Sequence, residues 1–152
     1  MTAPLCRSAP VSTSDIIGTL IVRTADTPER RKEAAAHLEE EHFLGAGRTA
    51  GDALWQLIYE ERARGATLVA VIVWCAAAFR LKDRDAWIGW DSVTRARRLK
   101  LIVQARRFLV LESARRPNLA SKSLGAALRV LPSQWPAQFG YTPVLAEPGG
   151  AR

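Results

Sequence analysis

A chain of 152 residues with 48% apolar and 24% charged residues has the size and composition of one globular domain, which excludes intrinsic disorder and leaves no room for a second full domain. Its formal net charge of +7 comes mostly from arginine, since the only lysines are Lys32, Lys82, Lys100 and Lys122, and it favours phosphate-bearing partners such as DNA. Two cysteines, Cys6 and Cys75, make neither a disulfide framework nor a zinc site, and the longest apolar run, Leu68 to Phe79, is too short to span a bilayer, so a cytoplasmic protein without membrane contact or cofactor is expected.

Residues 1–14 are rich in Ser, Thr and Pro and read as a flexible leader before a single domain over 15–147. Ile16 to Val22 suits a short first strand. "TADTPERRKEAAAHLEEEHFLG" predicts a helix, with Asp26 or Thr27 as N-cap, Pro28 in the first turn and Gly45 as the stop. Leu54 to Glu60 and Thr67 to Trp74 are β-favouring runs around a polar bend with Gly65, the pattern of a hairpin.

"RLKDRDAWIGWD" then reads as irregular. Asp91 or Ser92 is placed to cap a helix through "VTRARRLKLIVQARR", with Ala96, Leu99 and Val103 on one face and Arg97, Lys100, Gln104 and Arg107 as a polar stripe at spacings of three and four. Phe108 to Leu111 follows as a short buried strand, "NLASKSLGAALRVL" as an amphipathic helix and "YTPVLAE" as a last strand. The resulting order predicts an α/β (α+β) fold, a mixed sheet flanked by helices.

His37 and His42 in "HLEEEH" are five apart and fall on different helix faces, so no metal site is expected there. Neither a G-x-S-x-G motif nor a Cys–His pair suggests nucleophilic catalysis. Trp87 and Trp90 flank Gly89 beside Arg84, Asp85 and Asp91; aromatic faces next to arginines can stack bases, although tryptophans more often fill cores. The bend "ARRPNLASKS" sets Arg115 and Arg116 before a helix beginning near Asn118, where free N–H groups attract anions. N-acyltransferase folds hold pyrophosphate on such a strand, turn and helix, but this turn lacks glycine, and Asn118 or Ser121 could cap the helix instead.

Taken in order, "EHFLG", "RDAWIGWD", "RRFLVLE", "PNLASKSLG" and "LPSQWPAQFGYTPVLAE" resemble the Druantia anti-phage protein DruA family, a bacterial family also found with transposases and other mobile elements. The resemblance covers roughly Glu40 to Glu147. Its motif positions include His42, Gly45, Arg84, Asp85, Trp87, Gly89 and Trp90. The chain departs from the family pattern at Gln104, Ala105, Glu112 and Ser113, and its divergent tail, 148–152, reads as a C-terminal truncation.

The resemblance implies an accessory domain of a phage-defence or mobile-element system. The cluster Arg97, Lys100, Arg107, Arg115 and Arg116, with Asn118 and Ser121, is then the expected contact for DNA, or for a helicase or transposase partner. The alternatives are an N-acyltransferase-like enzyme and an inactive remnant of a transposase-associated protein.

Overall fold

The computed structural model describes residues 18–49 and 51–149. The expected leader, Ile16 and Ile17 of the expected first strand, and residues 150–152 of the expected tail lie outside the described residues. The chain forms β1 (Thr19–Thr24), α1 (Pro28–Glu41), β2 (Ala53–Arg62), β3 (Gly65–Ala76), α2 (Lys82–Ile88), α3 (Ser92–Arg98), β4 (Ile102–Val110), α4 (Leu119–Phe139) and β5 (Leu145–Pro148). All five strands join one sheet in the order β1-β2-β3-β4-β5, antiparallel as far as β4, with β5 parallel to β4. The expected mixed sheet flanked by helices is therefore what the chain makes.

Side-chain alternation splits the sheet into two packed faces. Leu54, Gln56 and Ile58 of β2 register with Trp74, Ile72 and Ala70 of β3. They face α4: Trp74 Nε1 donates to Gln56 Oε1 at 2.7 Å, and Gln56 Nε2 donates to Ala127 O and Gln134 Oε1. Trp55, Leu57, Val71 and Val73 fill the opposite face, where Ala34 and Leu38 of α1 are buried. Both faces of β2 and β3 are covered, so these strands carry apolar residues on both sides, and each large side chain withdrawn from water contributes about 1.5–3 kcal/mol.

The α1 helix starts as expected, with Thr27 Oγ1 accepting from Arg30 N and Pro28 at its first position. It ends at Glu41, before Gly45. The segment expected to be irregular contains α2, closed by Gly89 in the left-handed conformation (φ 73°). Its N-terminal end is held by Asp85, whose carboxylate accepts from the backbone N–H of Leu81.

The long helix expected from Asp91 through Arg107 is corrected. Asp91 does cap a helix, accepting from Thr94 N at 2.7 Å, but α3 ends at Arg98, a tight turn covers Leu99–Leu101, and the chain becomes β4 at Ile102. Ile102 and Val103 are adjacent and both about 1% exposed, which a strand buried on two faces allows and a one-sided helix does not. Of the strand expected at Phe108 to Leu111, Phe108, Leu109 and Val110 form the end of β4, which stops before Leu111. The last helix is longer than expected and runs through Pro132 and Pro136, because Gln134 and Trp135 beyond Pro132 are packed inward.

Candidate functional site

The site begins with one extra residue. Val73 pairs with Arg107 and Trp74 with Ala105, so Arg106 is a β-bulge in β4. A bulge re-aims side chains, and here it brings the adjacent Arg106 and Arg107 onto the face shared with Cys75, Gln104 and α1. Arg107 is 8% exposed; its Nε donates to Gly45 O at 2.7 Å, one terminal nitrogen to Leu44 O and the other to Arg106 O. A Cβ on Gly47, whose φ is +63°, would lie 2.8 Å from the Arg107 guanidinium. The "EHFLG" loop is therefore moulded around Arg107.

The loop is closed from within as well. Gly45 N donates to His42 O, Leu44 N to His42 Nδ1, and Ala46 N to Glu39 Oε1. Burial and then the Arg107 charge hold His42 below the usual histidine range, which favours the neutral ring that accepts from Leu44 N. The imidazole stacks on Phe43 at 4.9 Å, and Phe43 is left 82% exposed.

A second motif cluster lies on the same face. Glu147 of β5 registers with Gln104, which registers with Cys75, and Arg84 of α2 donates to Glu147 Oε1 at 3.0 Å. Arg84 also reaches Ala78 O and Asp85 Oδ1, while Asp85 Oδ2 accepts from Arg95 of α3 at 3.1 Å. Burial pushes the Asp85 carboxyl up, but hydrogen bonds from Arg84 and Leu81 and the charges of Arg84 and Arg95 together hold it below the usual carboxylate range. Asp85 thus ties α2 to α3 and Arg84 ties both to the sheet.

Around these two clusters the surface is basic and aromatic. Arg80, Lys82, Arg97, Arg98, Lys100 and Arg106 are exposed, and none has a carboxylate within 4.0 Å among the described residues. Phe79 is 55% exposed with the Arg95 guanidinium over its ring at 5.2 Å, and Trp87 is 81% exposed. Trp55, Trp74 and Trp135 instead fill the core, and Trp90 is partly buried. Burial is the leading influence on Cys75, which raises its thiol pKa and makes it a poor nucleophile.

The expected basic cluster is divided by the fold. Arg97 and Lys100 precede β4 and Arg115 follows it, and the nine residues of β4 separate them by about 30 Å. Arg107 leaves their stripe entirely and is enclosed by the loop. Arg116 is ion-paired with Glu60, which is 3% exposed, so it anchors the turn before α4 to β2.

At that turn Asn118 is a left-handed N-cap (φ 64°) with no side-chain capping bond, which corrects the expected role of its amide; Ser121 is exposed. Gly89 closes α2, Gly45 binds Arg107, and His42, Arg84 and Asp85 organise their clusters as described. Sequence reasoning passed over Arg98, Arg106 and Phe79, and named Phe43 only as a motif position. Only the doubled arginine in "QARRF" hinted at one of them, because the bulge that sets Arg106 beside Arg107 on one face is fixed by pairing with β3.

Among the described residues no group of His, Cys, Asp and Glu converges as a metal site, and no helix is long and apolar enough to cross a membrane. No curated protein and no solved structure matches the chain. A protein-family model described as Druantia protein DruA matches residues 17–149, a span that contains both the Arg107 loop and the Arg84–Asp85–Glu147 cluster, and the chain belongs to this family of the Druantia anti-phage system.

Proposed function

We propose that this DruA-family domain contacts DNA through the surface formed by α2, α3 and the start of β4. The observation that carries it is the set of exposed cations between Arg80 and Arg106 that have no carboxylate partner among the described residues. Asp85 is already held by Arg84 and Arg95, and the exposed Asp83 and Asp91 lie within 4.0 Å of no cation among the described residues. Cations left in this state release condensed counterions when they meet phosphates, which gives sequence-independent attraction. A domain with such a surface would deliver or hold DNA for a larger helicase or transposase partner in the same system.

Fluorescence anisotropy with labelled DNA tests this. Binding at low salt should weaken steeply as salt rises, and Arg97→Glu/Arg98→Glu/Lys100→Glu together should flatten the log–log salt slope by about 3. Absence of any binding at low salt overturns the proposal.

An N-acyltransferase-like enzyme is the second reading. It is favoured by the order of elements, four antiparallel strands followed by β5 parallel to β4 after the α4 connection. Against it stand the lack of glycine between β4 and Gly125 and the commitment of Arg116 to Glu60. Titration calorimetry with acetyl-CoA separates the readings, since no heat at high ligand concentration removes this one.

A further inference from the structure

We infer that the DNA taken by this surface is single-stranded, with unpaired bases stacking on Trp87 and Phe79 while Arg97, Arg98 and Lys100 hold the phosphates. The inference rests on the DNA-contact proposal and adds the state of the strand. Three of the five tryptophans are no more than 8% exposed, whereas Trp87 is 81% exposed on a seven-residue helix. The inward side of α2 is occupied by Arg84 and Asp85, so Trp87 has no packing role there. One side of the Phe79 ring is covered by the Arg95 guanidinium, which Asp85 fixes in turn, and the ring remains 55% exposed. Arg98 lies three residues beyond Arg95 on α3 and so continues that side of the helix with positive charge.

A base offers a π-face to such rings only when it is unpaired and unstacked, and aromatic rings beside backbone-tracking cations are the chemistry of single-strand binding. Other occupants fit less well. A second copy of the chain would bring this surface, where exposed cations outnumber the exposed acids Asp83 and Asp91, against itself. A membrane surface needs a longer amphipathic helix than seven residues provide.

Intrinsic fluorescence and anisotropy of the full chain, titrated with an oligothymidylate, an oligouridylate and a duplex of matched length, decide the matter. Quenching and binding with oligothymidylate about ten-fold tighter than with duplex support the inference, as does a loss of about ten-fold or more in single-strand affinity for Trp87→Ala with duplex binding unchanged. Trp87→Phe should keep most of the affinity. Equal affinity for single strand and duplex, with Trp87→Ala silent, overturns the inference and leaves the DNA proposal standing. A signal with oligouridylate alone overturns the inference, and no signal with any of the three nucleic acids overturns both.

Discussion

Arg107 shows how one side chain can be spent on structure although its charge suggests a ligand. Its donors serve the part-buried carbonyls of Leu44, Gly45 and Arg106, so its loss would leave three acceptors without this partner and free the motif loop. Arg107→Ala should lower unfolding stability by about 3 kcal/mol in urea titrations, and Arg107→Lys should recover little, because a point-like ammonium cannot reproduce the planar fork. Stability unchanged in Arg107→Ala would show that the loop is held by other means. Arg106, one residue away, has the opposite fate and faces solvent. The bulge puts both arginines on one face, where regular alternation would have split them, and the Leu44–Gly45 carbonyls then close over Arg107 alone.

At the scale of elements, α4 carries several local conflicts and still runs for 21 residues. Pro132 and Pro136 each remove a helix donor, and Gly125 adds backbone freedom in the unfolded chain. What outweighs them is packing: Leu119, Ala127 and Trp135 are fully buried on the sheet, and Gln134 joins Gln56 to Val22 O. A Cβ at Gly125 meets no atom within 4 Å, so Gly125→Ala should raise stability by about 1 kcal/mol, read as a higher urea midpoint with unchanged slope. A lower midpoint would mean that α4 needs the flexibility.

The α3–β4 boundary is the converse case. "RARRLKLIVQARR" satisfies a helical period and a strand equally well over its apolar positions, and neither propensity nor spacing separates them. The decision comes from β3, which pairs with Val103–Val110, and from β5, which pairs with Ile102–Ala105 on the other side.

At the scale of the molecule, acid should act on the carboxylates that bind the outer elements to the sheet. Burial pushes the Glu60 carboxyl up, but hydrogen bonds from Arg116 and Gly18 N and the charges of Arg116 and Arg62 outweigh it and hold the pKa below its ordinary value. A carboxyl lowered by folding adds stability above its unfolded pKa, about 4.3 for Glu, and loses it as pH falls through the folded value. Stability should therefore drop below about pH 4. Glu60→Gln should be less stable than the parent at neutral pH, since Arg116 keeps its charge without a partner, and should show a shallower acid decline. An acid slope identical to that of the parent would place the transition on Asp85 or other groups.

Composition, periodicity and turn residues were enough for a mixed sheet, the α1 cap at Thr27, the β2–β3 hairpin and the family motifs, because each depends on residues close together in the chain. The candidate surface was less legible. Burial of Arg107, pairing of Arg116 with Glu60, exposure of Trp87 and Phe79, and neutralisation of Asp85 by two arginines all depend on partners distant in sequence or on which helix face meets the sheet. The sequence by itself determined how many cations the chain carries and which local elements they lie on. Only the tertiary structure decided which of them remain free for a ligand, because strand pairing and sheet packing consume the others.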